Sequence, residues 1–169
     1  MRQAPLCSDV IKQAPPDPPL ILLGAGSGPS VTASIYAIVD RGAQLRPQLA
    51  RELRGSVLLD FTEGYVPTRI DFRGDEIEVT DGSEEDRAHH LLVQGSLPDI
   101  VALIASPLAG GLPKPTSAPG RAALARLADG RVEFEGPLRL ARGLMRLLSV
   151  APSTKRHVPE RSTPRHMSE

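Results

Sequence analysis

The stretch GSVLLDFTEGYVPTRIDFRGDEIEVTDGSEEDRAHHLLVQG, residues 55–95, decides the fold of this chain. Within it, apolar and polar residues alternate in three successive segments that are separated by glycine-containing turns. The alternation is typical of strands with one apolar face. We therefore predict an antiparallel meander whose last two strands are joined by a hairpin turn at Gly74. The alternating apolar residues are Val57, Leu59, Phe61, Ile70, Phe72, Ile77 and Val79.

The segments on either side complete an α+β pattern. A fourth strand is predicted at 89–94 and a fifth at 131–135. An apolar stripe at helical spacing covers 35–53, and Pro47 should divide it near Arg46 because proline lacks an amide proton. Ser96 begins a second helical region, since its hydroxyl can cap a helix. Further helices are predicted at 121–128 and 138–148, and the Pro/Gly-rich segment 106–120 is either disordered or a lid.

Length and composition restrict the classes of function. The 169 residues suffice for one domain with a single core, and Lys plus Arg equal Asp plus Glu at 20 each. Aromatic residues make up only 3%, so few side chains are available for nucleotide bases to stack on. We therefore expect no nucleic-acid partner. A single cysteine excludes an intrachain disulfide. Leu20–Leu23 is far shorter than the about 20 apolar residues that cross a bilayer. We therefore expect a cytoplasmic protein without stable membrane insertion.

The two ends of the chain differ in composition from its middle. Residues 1–30 are rich in proline and glycine, so we predict a disordered or flexible extension there. The stretch LILLGAGSG is close to a dinucleotide-binding fingerprint, but Pro29 replaces its third glycine and no parallel βαβ unit is expected to follow. We predict a folded domain over 31–150 and a disordered tail over 151–169.

The histidines and carboxylates that could support catalysis or metal binding are better explained by structural roles. His89 and His90 are adjacent on a predicted strand and should point to opposite faces, which opposes a shared metal ion. Asp60, Glu63 and Asp71 alternate with apolar residues, so a polar strand face explains them better than a catalytic carboxylate pair. No Ser or Cys has a well-placed His and acid. We expect no catalytic residue, no metal site and no cofactor.

The order of these elements resembles the sterol-binding domain of the sterol carrier protein family, in its bacterial single-domain form. The resemblance extends from about residue 35 to residue 150 and depends on order and spacing rather than on one motif. The chain departs from the family at Leu59, which is often aromatic, at the long segment 106–120 and at Pro137, which is usually polar. The matching stretches are 49–55, Leu59-Asp60-Phe61-Thr62 with Gly64, Arg73-Gly74-Asp75, 91–93 with Ser96, Asp99 and Leu103, 129–136 and 138–148.

The resemblance implies a five-stranded, mainly antiparallel sheet covered by helices, with an apolar tunnel between the two layers. The tunnel would hold a sterol, fatty acyl or isoprenoid-like lipid, which the protein carries without chemistry. The predicted lipid-binding residues are Leu59, Phe61, Ile70, Phe72, Leu103, Ile104, Leu108, Leu144, Met145 and Leu148.

An alternative is open at this point. The same fold with a filled core would serve as an interaction or dimerisation module, or as an accessory to a lipid-related biosynthetic pathway. Its partner would then be a second copy of the chain or a biosynthetic enzyme. The apolar stripe of the last helix fits both hypotheses, because a helix that lines a tunnel and one that packs on a filled core carry the same pattern.

Overall fold

The computed structural model describes residues 17–24, 30–83 and 88–149. These residues form a layer of helices packed on one face of a mixed sheet, with a small hairpin at its side. The strands are β1 (Leu20–Leu23), β2 (Gly55–Phe61), β3 (Thr68–Phe72), β4 (Glu76–Asp81), β5 (Leu91–Gly95), β6 (Leu108–Ala109), β7 (Leu112–Pro113) and β8 (Val132–Glu135). The helices are α1 (Val31–Leu45), α2 (Pro47–Glu52), α3 (Leu97–Ile104), α4 (Ala118–Ala128) and α5 (Leu138–Leu148).

The main sheet corrects the prediction of five mainly antiparallel strands. It has six strands in the order β1-β4-β3-β2-β5-β8 among the described residues. The meander β2-β3-β4 is antiparallel as predicted, and β5 pairs antiparallel with β8. However, β1 runs parallel to β4, and β5 runs parallel to β2. Strand β1 therefore extends the meander at its β4 edge, and β5 extends it at its β2 edge.

Strand β1 lies inside the segment that the sequence predicts to be a flexible extension. The backbone N–H of Leu20 donates to the carbonyl of Asp75 at 2.8 Å, and that of Gly24 donates to Val79 at 2.9 Å. Ile21 packs against the core, whereas Leu20 is exposed. The structure therefore adds this short apolar run to the sheet as an edge strand. The remaining parts of the predicted extension, 1–16 and 25–29, and the predicted tail lie outside the described residues.

The helix ends follow the predicted local chemistry. The Ser30 hydroxyl accepts from the backbone N–H of Ala33 and caps α1, and the Ser96 hydroxyl accepts from Asp99 and caps α3. The predicted break at Pro47 is confirmed, because α1 ends at Leu45 and α2 begins with the proline in its first turn.

One face of the main sheet is the floor of the hydrophobic core. The alternating apolar residues of β2, β3 and β4 are buried, while the residues between them are half-buried. Gly74 has a φ of +94° in the β3–β4 turn, which is the conformation that the predicted hairpin requires. Residues of all five described helices belong to the same core cluster as these strands.

The segment 106–120 is neither an irregular loop nor disordered in the structure. Its first half forms the hairpin β6–β7, and its end is the first turn of α4. The hairpin turns at Gly110 and Gly111, which both have positive φ angles. The backbone N–H of Lys114 donates to the carbonyl of Pro107 at 2.7 Å and closes the base of the hairpin.

Candidate ligand-binding cavity

An apolar cavity of about 150 Å³ lies where α3, α4, α5 and β8 meet the β6–β7 hairpin. The atoms that face it are apolar, so Arg142 contributes the aliphatic part of its side chain. Leu112 and Leu138 border the cavity and are 39% and 58% exposed, which places its opening between the hairpin and the start of α5. The lining residues are Leu103, Gly111, Leu112, Pro113, Leu127, Phe134, Leu138, Ala141, Arg142 and Met145.

Helix α5 forms one wall of this cavity because of its residue spacing. Leu138, Ala141 and Met145 follow one another at steps of three and four residues, so they lie on one side of the helix. Leu144 and Leu148 do not line the cavity and are buried in the core cluster. The helix therefore separates a packed core from a cavity.

Two of the ten predicted lipid-binding residues, Leu103 and Met145, line the cavity. The others lie elsewhere: Leu108 is half-buried in β6, and the remaining seven are at most 7% exposed within the core. None of these eight borders the cavity, and their role in lipid binding stays a prediction. The seven core residues are Leu59, Phe61, Ile70, Phe72, Ile104, Leu144 and Leu148.

Several cavity residues that are not among the ten predicted lipid-binding residues belong to segments with a recognisable sequence pattern. Leu138 and Ala141 belong to the apolar stripe predicted for the last helix, and Phe134 to the predicted fifth strand. Leu112 and Pro113 fall in the segment interpreted as a loop or lid. No local pattern indicated that the hairpin formed by this segment would reach α5, since that contact joins residues distant in sequence.

A buried carboxylate holds together three of the elements around the cavity. Asp99 Oδ1 accepts from Arg126 Nε at 2.8 Å and from Arg131 Nη2 at 2.9 Å, and its Oδ2 accepts from Ser96 Oγ at 2.8 Å and from Arg131 Nε at 3.1 Å. The hydrogen bond from Ser96, together with those from the two arginines, holds the pKa of Asp99 below its usual 3.8, although burial opposes the shift. This network ties α3 to the end of α4 and the start of β8.

The carboxylates considered for catalysis have structural partners. Asp60 accepts from the Gln94 amide at 3.0 Å, and Glu63 accepts from the backbone N–H of Leu97 at the start of α3. Asp71 pairs with Ser56 across β2 and β3, so about 13 Å of strand separates it from Asp60.

Asp71 lies in a polar cluster on the sheet face opposite the helices. Burial raises the pKa of Asp71, but hydrogen bonds from Arg69 and Ser56 outweigh it and bring the pKa below 3.8. His90 Nδ1 accepts from the backbone N–H of Ser56 at 3.1 Å. Among the described residues, no group of three His, Cys, Asp or Glu side chains is placed to hold a metal ion.

A wider depression of about 790 Å³ lies beside the first turn of α1. Two of its polar side chains have partners within the fold, because Ser30 caps α1 and the Thr32 hydroxyl is 3.0 Å from that of Thr68. It is larger than the cavity at α5, but it is an open surface with a mixed lining rather than an apolar enclosure. We therefore take the cavity at α5 as the candidate site.

No protein-family model and no curated protein matches the sequence. Solved structures that resemble the chain include the UbiJ-SCP2 ubiquinone synthesis protein, at 15% identity and a TM-score of 0.48, over 70% of this chain and 92% of the other. Sterol carrier protein domain 2 of Helicoverpa armigera is 15% identical at a TM-score of 0.49, over 75% and 95% of the two chains. Palmitated sterol carrier protein 2-like 2 of Aedes aegypti is 18% identical at 0.44, over 72% and 96%.

These structures carry the name of the family that the sequence resembles. At such identities and scores the likeness is distant, and the fold assignment rests on the element order and strand pairing given above. None of the described helices is both long and apolar enough to span a membrane.

Proposed function

We propose that this chain binds an apolar or amphiphilic ligand of the fatty acyl, isoprenoid or sterol class in the cavity at α5, and carries it without chemical change. The observation that carries the proposal is the wholly apolar lining of a cavity that opens between two exposed leucines, Leu112 and Leu138. Burial of apolar surface stabilises such a complex by about 25 cal/mol per Å². A chain-like ligand can therefore reach micromolar affinity, about 8 kcal/mol, with few hydrogen bonds.

The size of the cavity limits what enters without rearrangement. At about 150 Å³ it is smaller than the roughly 300–1,000 Å³ of common ligand pockets. A dry cavity of roughly this volume holds a benzene-sized molecule. A longer chain requires the β6–β7 hairpin to move away from α5. The hairpin is suited to this movement because it consists of two short strands around a two-glycine turn.

A second candidate function is supported by the packing under the sheet. Leu59, Ile70 and Phe72 are at most 3% exposed and pack within one continuous core. A core that is filled in this region suits an interaction or dimerisation module that binds no lipid. The two functions differ in whether the cavity at α5 takes up a ligand.

The test uses two alanines that differ in the space around them. Ala141 lines the cavity, so Ala141→Leu places its new methyl groups in the void. We expect this variant to bind the fluorescent fatty acid cis-parinaric acid at least about tenfold more weakly than the wild type, a loss of about 1.4 kcal/mol. Its Tm should stay the same or rise, because the substitution fills space instead of displacing neighbours.

The matched control is Ala123→Leu in α4. Ala123 is 0% exposed and does not line the cavity, so the larger side chain should overpack the core and cost about 1–3 kcal/mol of unfolding free energy. The folded fraction of this variant should bind the probe as the wild type does. Absence of probe binding in delipidated wild-type protein, or equal affinity in the wild type and Ala141→Leu, would contradict the proposed function.

A further inference from the structure

Three arginines form a stripe along the outer side of α5. Arg139, Arg142 and Arg146 follow at steps of three and four residues, and all three are exposed. None of the ion pairs among the described residues includes any of them. The shallow groove outside α5 is lined by all three arginines and by one acidic residue, Glu52. Three unpaired positive charges therefore outnumber one negative charge on this surface.

The arginine stripe is continuous with the opening of the cavity. Leu138 and Arg142 line both the cavity and the shallow groove. The hairpin lies directly on the stripe, since a Cβ added to Gly111 would be 2.9 Å from the carbonyl oxygen of Arg142 and 3.3 Å from Cδ of Arg146. Leu112 follows this glycine and is exposed. One surface therefore combines two exposed leucines with three unpaired arginines.

We propose that this mouth surface, formed by Leu112, Leu138, Arg139, Arg142 and Arg146, docks the protein on an anionic lipid surface. Arginines near a membrane are attracted by its negative surface potential, and exposed leucines gain by entering the boundary between headgroups and acyl chains. The two kinds of side chain lie together here, which fits a lipid surface better than a purely acidic partner. Docking in this orientation turns the opening of the cavity toward the lipid.

The test is flotation of the full chain with vesicles of two compositions. One set contains equal parts of phosphatidylglycerol and phosphatidylcholine, and the other contains phosphatidylcholine alone. The wild type should float with the anionic vesicles and stay in solution with the neutral ones. Added salt should weaken the binding, because the Debye length falls from about 10 Å at 0.1 M to about 3 Å at 1 M.

The decisive variant is Arg139→Gln/Arg146→Gln, which leaves the cavity lining intact. We expect its partition onto anionic vesicles to fall roughly 30-fold, which corresponds to about 1 kcal/mol for each arginine removed. Arg139→Lys/Arg146→Lys should bind nearly as well as the wild type, because the charge is retained. Leu112→Gln/Leu138→Gln should also reduce binding, since it removes the apolar contribution.

A charge-matched control lies at the β3–β4 turn. Arg73 lies there and pairs with Glu76 at 2.9 Å, and Arg51 reaches the same turn from the end of α2 and pairs with Asp75 at 3.2 Å. Strand β3 is three strand positions from β8, about 14 Å across the sheet. Arg51→Gln/Arg73→Gln changes the net charge equally and should keep its vesicle binding. The Tm of every variant is measured to confirm that it is folded.

The remaining outcomes overturn the inference. These are equal binding of the wild type to both kinds of vesicle, equal losses in the two double glutamine variants, or a dimer in sedimentation that fails to bind vesicles. Vesicle binding without uptake of cis-parinaric acid would keep the docking surface and contradict the proposed ligand function. Uptake of cis-parinaric acid without vesicle binding would keep the proposed ligand function and contradict the docking surface.

Discussion

Asp99 makes hydrogen bonds both to a residue close in sequence, Ser96, and to two distant arginines. It lies in the first turn of α3, where a carboxylate is favoured by the positive end of the helix. Its hydrogen bonds to Arg126 and Arg131 join elements about 30 residues apart along the chain. The paired contact with Arg131 is the bidentate geometry in which arginine binds carboxylates most strongly. No sequence pattern marked these two arginines as its partners.

We expect Asp99→Asn to lower the Tm by several degrees, because two arginines lose a buried negative partner. The pKa of Asp99 is lowered in the folded state, so its stabilising contribution is complete above the unfolded value of 3.8 and is lost as pH falls through the lower folded value. The wild type should therefore lose more stability between neutral pH and about pH 3 than Asp99→Asn does. Urea unfolding at the two pH values measures the difference.

The control for this prediction is Asp60→Asn. Asp60 contacts Gln94 on the exposed side of the sheet, and an asparagine can still accept that hydrogen bond. Its Tm should stay close to that of the wild type. Equal acid sensitivity in the wild type and Asp99→Asn would show that the stability carried by Asp99 does not depend on its charge.

At the scale of elements, glycines set how closely α5 approaches its neighbours. A Cβ at Gly42 of α1 would lie 2.2 Å from the carbonyl oxygen of Leu147, which is backbone and cannot move alone. A Cβ at Gly143 would lie 2.4 Å from Cδ2 of Leu53, the end of a flexible side chain. Glycine lowers helix propensity, and the structure gives both of these helical glycines a packing role that offsets this cost.

The two helical glycines therefore make a matched pair of substitutions. We expect Gly42→Ala to lower the free energy of unfolding by about 1–3 kcal/mol, because α1 and α5 must separate. Gly143→Ala should change it by less than about 1 kcal/mol, since the gain in helix propensity offsets the displacement of Leu53. Chemical denaturation of both variants checks this, and a larger loss at Gly143 would contradict the assignment of the tighter contact to Gly42.

Elements with a strong local pattern were predictable, and their arrangement was not. The alternation in 55–81 and the break at Pro47 depend on residues close in sequence, and both appear in the structure. Leu20–Leu23 was missed because four apolar residues after several prolines show no period. The parallel pairing of β5 with β2 joins strands that are distant in sequence, which no local signal shows. The lipid-binding residues were predicted from their apolar character. That character indicates burial, but it does not distinguish a packed core from an unfilled cavity.

The whole molecule has two halves that differ in packing. On one side, α1 packs over β1, β4 and β3, where the core is filled. On the other side, α3, α4 and the hairpin surround the cavity beside β8, and the hydrogen bonds of Asp99 join α3 to the end of α4 and the start of β8. Helix α5 belongs to both halves, with Leu144 and Leu148 in the filled core and Ala141 and Met145 at the cavity. Movement of the hairpin can therefore enlarge the cavity while the filled half stays in place.

This asymmetry predicts where a ligand changes hydrogen exchange. With cis-parinaric acid bound, amides of 108–113 and the start of α5 should exchange more slowly at early times, because their local opening competes with ligand binding. Amides of β3 and β4 should be unchanged at those times, since they exchange mainly by global unfolding. Ala141→Leu under the same conditions should show a much smaller difference with the probe, because its affinity is lower. Slowing beside the first turn of α1 instead would place the ligand in the wider depression there and leave the cavity at α5 without a role. Slowing confined to the hairpin and α5 would place the ligand in the cavity at α5, beside the contact between Gly111 and Arg142.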